Sequence, residues 1–338
     1  MNSSPLSRLS KPRLLQPYPH GGTEKGSRGK AHEPAPVHRQ GIGFRFRSFW
    51  HLLRCPIPPR HLLILVAIIL QLLVPPLSVR ASAREPLTLW VHPFLPAAEL
   101  TRSFTPLTDY LSRTCGVPVR LEITKNYASH IRRVGEERFD IAFLGPAPFV
   151  EVTRTYGSKI LLGRLEDNGS PFFHGVIIAR RDSPIKNLNG LAGKRFAFGD
   201  PNSTMSHIVP RVMLAEAGVR TEQLQKQAFL GMHQNVVLGV LGGYYDAGAV
   251  KENIFNQYKG RGLKSLARTP AVSEHLFVAG KNLPKATVAC LRQSLLNLRD
   301  KAVLSAIKGS LTGIVPAEDS NYDSLRVIMQ KFDRLPAK

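Results

Sequence analysis

Cysteine is scarce in this chain: three residues in 338, at positions 55, 115 and 290. That excludes a small scaffold built on disulfides, and no C-x-x-C or H-E-x-x-H spacing appears that would hold a metal. No cofactor and no metal are therefore expected. Long apolar runs are also missing. The most extended is Leu62–Val74, thirteen residues interrupted only by Gln71, which is short of the ~20 residues that a membrane-spanning helix needs. Acidic residues are few, 24 against 46 Lys and Arg, so the formal charge of +22 invites a nucleic-acid reading. The distribution of that charge argues against it. Residues 1–60 hold eleven of the basic residues and only Glu24 and Glu33, whereas beyond Ala83 the Lys and Arg are spread singly, with no aromatic-interleaved stripe. Attraction of small anions fits this pattern better than a nucleic-acid surface.

The chain organises itself along the same lines. Residues 1–60, rich in Pro, Gly, Ser and His and without apolar periodicity, are expected to be a disordered basic leader. Residues 61–83 have the layout of a secretory signal: a basic flank, a short apolar core, Pro75-Pro76, then Ala81-Ser82-Ala83 with small residues where a signal peptidase requires them. Cleavage is expected after Ala83, with an uncleaved membrane anchor as the alternative. Cys55 precedes the apolar core and lacks the setting of a lipidated cysteine. Export makes a Cys115–Cys290 bridge an option beside two buried thiols.

From Leu87 onward short apolar runs alternate with helical patterns. Leu87–Val91, Val119–Ile123 and Phe139–Leu144 read as strands, and Ala97–Thr114 and Tyr127–Glu137 as helices, a βαβαβ order. A second unit repeats the order: strands at Gly175–Arg180, Lys194–Phe198, Gln227–Leu230 and Ala247–Val250, with helices at Thr204–Ala217 and Asn235–Gly242. The expected fold is α/β with two lobes, each a mainly parallel sheet flanked by helices, and a ligand cleft between them. Residues 84–179 plus 276–338 are assigned to lobe 1 and residues 180–275 to lobe 2.

Gly199-Asp-Pro-Asn-Ser-Thr204 joins a strand to a helix, and Ser203 is placed to cap that helix where its dipole is positive, a setting suited to an anion. Plain capping is the alternative. Pro210 falls within the same helix and should kink it. His233 and Asp246 are read as following strand ends in the same lobe, so that Ser203, Thr204, His233 and Asp246 share one sheet edge, the edge where open α/β sheets bind ligands. An Asp beside an anion is repulsive unless it accepts a proton from it, so Asp246 is expected to select oxyanions that keep a proton and to reject sulfate. Lys251 either adds positive charge there or is solvated.

Four strings in register carry a resemblance: Phe139-Asp-Ile-Ala-Phe-Leu-Gly-Pro-Ala-Pro148, Gly199–Thr204, Phe229-Leu-Gly-Met-His233 and Tyr245-Asp-Ala-Gly-Ala-Val250. In order and spacing they are similar to the substrate-binding proteins of phosphate, phosphite and phosphonate ABC transporters. The resemblance implies a periplasmic, two-lobed, hinge-closing carrier that delivers a small oxyanion to a permease. A periplasmic sensor of the same fold, read by a signalling partner, is the alternative, and neighbouring permease or kinase genes would separate the two. It also implies Tyr127, Ser203, Thr204, His233 and Asp246 as ligand-binding residues, with the Gly145-Pro146-Ala147 turn at the cleft edge. The chain departs from the family at Met205-Ser206-His207 and at Phe149, losing a hydroxyl donor at each, and Ser206 and His207 are the candidates to compensate. Catalysis is not expected. Ser203, His233 and Asp246 name a hydrolase triad only superficially, without the G-x-S-x-G turn.

Overall fold

Alternation in Leu87–Val91 (β1) buries Leu89 and Val91 completely, and this strand becomes the parallel centre of a sheet. In α1 (Ala97–Cys115) the four- and three-residue spacing of Leu100, Phe104, Leu107 and Leu111 makes one stripe with no exposure, which covers that sheet. Gly116, at φ 63°, ends the helix in a left-handed cap that few other residues adopt without strain. The first lobe continues through β2 (Val119–Ile123), α2 (Tyr127–Gly135), β3 (Ile141–Leu144), α3 (Pro146–Tyr156) and β4 (Ile160–Asp167). α2 starts with a reciprocal capping box between Asn126 and Ser129.

The computed structural model describes residues 85–336, within a unit spanning Val79–Lys338. The leader at 1–60, the segment at 61–83, the cleavage point and Cys55 lie outside the described residues. Among the described residues no helix is long and apolar enough to cross a membrane.

The chain crosses to the second lobe through β5 (Phe172–Phe173), then builds β6 (Gly175–Arg180), β7 (Arg195–Phe198), α4 (Val209–Glu216), β8 (Lys226–Phe229), α5 (His233–Leu241), β9 (Ala247–Lys251), α6 (Glu252–Tyr258) and β10 (Leu263–Arg268). It returns through β11 (Val272–Ser273) to β12 (Leu276–Ala279), α7 (Lys285–Leu296), α8 (Lys301–Ile307), β13 (Leu311–Val315) and α9 (Asp323–Asp333). The first sheet has the order β13-β4-β12-β3-β1-β2 and the second β10-β6-β9-β7-β8. The crossing strands β5 and β11 pair antiparallel with each other, Val272 opposite Phe173, and form the ribbon between the lobes.

Two expectations need correction. β6 pairs with β9 and β10 in the second sheet, so the first crossing falls before Gly175 and not after residue 179. Parallel pairing is confined to β1 with β2 and β3 and to β7 with β8 and β9, while β4, β6, β10, β12 and β13 run antiparallel. The sheets of the two-lobed α/β fold are therefore mixed, because the strand that follows each crossing, β6 in one lobe and β12 in the other, joins its sheet against the direction of the βαβ core.

The region expected as one helix kinked at Pro210 is a π turn over Thr204–Ile208 followed by α4. Pro210 sits in the first turn of α4, where its missing N–H is tolerated. Its absence frees the Ser206 carbonyl, which accepts the N–H of Gly199 at 3.1 Å. The loop after β7 is thereby tied to the helix that follows it. A Cβ on Gly199 would fall 2.1 Å from Ser206 Oγ, so this close approach needs glycine.

Cys115 at the end of α1 and Cys290 in α7 are joined by a disulfide across 175 residues of sequence. Cross-links over loops of this length stabilise by restricting the unfolded chain, typically by about 2–4 kcal/mol. Cys290→Ser is expected to lower the melting temperature by roughly 5–15 °C, which scanning calorimetry would read; an unchanged transition would show that the bridge does not contribute.

Candidate functional site

The C-terminal ends of parallel strands from both sheets face each other. In the second lobe β7 runs into Ser203 and Thr204, β8 into His233 at the start of α5, and β9 ends on Lys251. In the first lobe β1 runs into His92, β2 into Tyr127, and β3 into Gly145, while His275 precedes the antiparallel β12 at the same edge. These residues, with Phe94, Pro148, Phe173 and Met205, line one cavity between the lobes. Its volume is about 10 Å³, which is room for about one water. The Ala147 N–H donates to Thr204 Oγ1 at 3.0 Å across the cleft, so the lobes are in contact. Two further cavities, of about 540 Å³ and about 230 Å³, open beside it, and Lys251 lines all three.

Tyr127, Ser203, Thr204, His233 and Gly145 are thus brought to one place. Ser203 Oγ accepts the Ser206 N–H at 3.3 Å, and Thr204 Oγ1 accepts Ala147 N–H. Each hydroxyl keeps its own proton to donate. The Tyr127 hydroxyl lies within hydrogen-bonding reach of Ser203, and burial, reinforced by the charge of Asp200, raises its phenol well above the ordinary value. His233 Nδ1 accepts the Lys251 N–H at 3.3 Å, so the hydrogen sits on Nε2. Burial, with the charge of Lys251, holds His233 at about 3, and the ring is neutral.

Pro146 and Ala147 are buried in the first turn of α3 behind the cavity wall, and Ala147 reaches the site through its backbone N–H alone.

Asp246 is not at the site. It precedes β9, at the opposite edge of the sheet, and accepts Arg195 Nη2 at 2.7 Å, Arg195 Nε at 3.1 Å and Arg195 N at 2.8 Å. These hydrogen bonds from Arg195 hold its carboxyl below the ordinary range. Ser203, His233 and Asp246, which resemble a triad only superficially in the sequence, are therefore not assembled. Ser206 and His207 do not compensate for the lost hydroxyls either. Ser206 Oγ lies over Gly199 without a hydrogen-bond partner among the described residues, and His207 contacts the Pro201 carbonyl at 2.6 Å and packs edge-on against Phe198, Phe229 and Phe332.

The charge at the cavity belongs to Lys251. Its ammonium lies 4.8 Å from the Phe173 ring and has no hydrogen bond or ion pair among the described residues. Burial lowers its pKa to about 8, against the opposing pull of Glu274. His92 and His275, which the sequence reading did not single out, complete the wall. His92 contacts the Phe143 carbonyl through Nδ1 at 3.2 Å, and His275 donates through Nδ1 to Glu274 Oε2 at 2.7 Å. The rule that ligands meet the C-terminal ends of parallel strands would have selected His92 and Lys251; His275, before an antiparallel strand, carried no such signal. Among the described residues no cluster of side chains is arranged to hold a metal ion.

The model of a family described as "ABC transporter, phosphonate, periplasmic substrate-binding protein" matches residues 89–322. The Phosphate-import protein PhnD of Mycolicibacterium smegmatis is 25% identical over 273 residues, 72% of this chain and 84% of that protein. The Phosphonates-binding periplasmic protein of Escherichia coli is 26% identical over 223 residues, 62% of this chain and 66% of that protein. In fold, the chain resembles PhnD1 from Prochlorococcus marinus, solved with methylphosphonate, at a TM-score of 0.67 and 22% identity, over 74% of this chain and 98% of that one.

Lys251 and Asp246 can be separated by experiment. A lysine whose folded pKa is depressed costs stability below that pKa, and the cost disappears as pH rises towards the unfolded value of 10.5. Lys251→Met is expected to raise the melting temperature of the ligand-free protein at pH 7, with the gain shrinking between about pH 8 and about pH 10. Asp246→Asn is expected to lower it slightly near neutral pH, the loss fading as pH falls through the depressed Asp246 pKa. A destabilising Lys251→Met would show that the ammonium has a partner in solution.

Proposed function

This chain belongs to the periplasmic substrate-binding proteins of phosphonate ABC transporters, and from that membership we propose that it captures a small phosphorus oxyanion between its lobes and delivers it to the permease. The family supplies the coarse statement: a transport component acting in the periplasm with a small ligand and a permease partner, and not an enzyme. The observation that supports the finer reading is the convergence on one cavity of donors from both lobes around an ammonium with no hydrogen bond or ion pair among the described residues. An oxyanion seated there would accept the hydroxyls of Ser203, Thr204 and Tyr127, His233 Nε2–H and the Lys251 charge. Charge-assisted hydrogen bonds of this kind are the strong ones. The adjoining cavity of about 540 Å³, walled by Asn253, Asn256 and Gln257 on one side and Asn168, Gly309 and Ser310 on the other, would take an organic substituent.

A cavity of about 10 Å³ cannot admit a tetrahedral anion as it stands. Opening about the β5–β11 ribbon would separate Ala147 from Thr204, and reclosing over the ligand would give the released Ala147 N–H to an anion oxygen. Contacts satisfied only in the closed form are what make ligand binding shut a cleft.

A thermal-shift series with phosphate, phosphite, methylphosphonate, aminoethylphosphonate and sulfate tests the reading. At a hundredfold excess over Kd a bound ligand adds about 2.7 kcal/mol, so at least one phosphorus oxyanion is expected to raise the melting temperature saturably while sulfate does not. A flat response to all five would overturn it.

A further inference from the structure

We propose that the cavity selects an oxyanion that carries a proton, and that His92 and His275 are the residues that accept it. The proposal rests on the oxyanion reading above and adds which anions are refused. The Phe143 carbonyl in β3 is contacted by His92 Nδ1 at 3.2 Å and by His130 Nε2 at 3.1 Å. A carbonyl oxygen offers only lone pairs, so both contacting nitrogens carry hydrogen. Each ring being neutral, its second nitrogen is a bare acceptor. Those two atoms, His92 Nε2 and His130 Nδ1, are buried and have no hydrogen-bond partner among the described residues. His92 lines the cavity and His130 stands behind it.

His275 reaches the same state by another route. Its Nδ1 hydrogen is committed to the Glu274 carboxylate, leaving Nε2 as an acceptor on the side of Gly145, where a Cβ would sit 3.5 Å from it. His233 is the opposite tautomer and presents a hydrogen. The wall therefore offers donors at His233, Lys251, Ser203 and Thr204 and acceptors at His92 and His275.

A fully ionised tetrahedral anion satisfies the donors and sets its own lone pairs against the two acceptors. An anion with one hydroxyl directs that hydrogen to His92 or His275, so that it meets the donors and leaves one acceptor unpaired rather than two. The wall does not readily supply the proton itself. His92 is faced by Tyr127, His130, His275 and Lys251, and His275 by Glu274, Lys251 and Lys308. Burial and the Lys251 ammonium oppose charging either ring, and Glu274 already holds the Nδ1 hydrogen of His275. Discrimination against unprotonated anions, expected of Asp246 from the sequence, is thus assigned to two neutral imidazoles.

Titration calorimetry on the intact protein with methylphosphonate and methanesulfonate tests this, since the two have similar shape and only the phosphonate keeps a hydroxyl at neutral pH. Methylphosphonate is expected to bind at least about tenfold more tightly, the cost of leaving a buried acceptor unpaired. At about pH 8.5, where methylphosphonate is mostly the dianion, its binding is expected to take up close to one proton more than methanesulfonate binding does, read from the dependence of heat on buffer ionisation enthalpy; the charging of Lys251, whose pKa lies at about 8, is common to both anions. His92→Gln, whose amide can donate, is expected to narrow the preference. Equal affinities, or phosphonate binding that takes up no more protons than methanesulfonate binding, would overturn the acceptor role and leave the oxyanion reading standing. Failure to bind either anion would overturn both.

Discussion

A carboxylate with no solvent exposure, Glu274, sits where the chain returns from the second lobe to the first, and the site is arranged around it. Burial alone would raise its pKa, yet the charges of Lys251 and Lys308 and the hydrogen bond from His275 keep it well below the ordinary value. It accepts the His275 N–H at 2.9 Å, His275 Nδ1 at 2.7 Å and Lys308 Nζ at 3.1 Å. A buried charge is tolerated only with such partners. Each partner is then fixed in turn: the His275 tautomer is set, Lys308 is held between Glu274 and Asp167 of β4, and the Lys251 ammonium has a counter-charge without a direct contact. The Tyr322 hydroxyl donates to the Glu274 carbonyl at 3.0 Å, which ties the approach to α9 into the same point.

That cluster also explains how a lysine and three neutral histidines coexist at one cavity. Each imidazole is held neutral by burial and by the positive charge nearby, and each has its tautomer fixed by a hydrogen bond outside the cavity, His92 and His275 by donating through Nδ1 and His233 by accepting there. The polarity of the wall is therefore set by backbone groups and by Glu274. Replacing any one of the histidines would change which atoms of a ligand are accepted without changing the net charge of the site.

Much of the architecture could be read from periodicity. Alternating apolar residues gave β1, β2 and β7, and the stripe of α1 and its Gly116 stop are plain in the sequence. Strand direction could not be read, because a short apolar run looks the same in a parallel and an antiparallel setting, and this is why the sheets were expected to be mainly parallel. The same gap misplaced Asp246. It was taken to follow a strand when it precedes β9, and only the other end of that strand, Lys251, reaches the cavity. The π turn over Thr204–Ile208 was invisible for a different reason: its cause lies partly in Gly199, seven residues before Ser206, whose N–H takes the carbonyl that Pro210 leaves free.

The bond between Ala147 and Thr204 across an almost filled cavity bears on timing. If the oxyanion is seated here as proposed, it cannot diffuse into a closed wall: its capture would wait for the lobes to part, and the association rate would level off at the opening rate as concentration rises. Departure passes through the same gate in reverse. Under that proposal the contacts of the anion lengthen its stay by making the opening of the cleft about the ribbon of β5 and β11 rarer, and any surface that holds the lobes apart becomes a release factor.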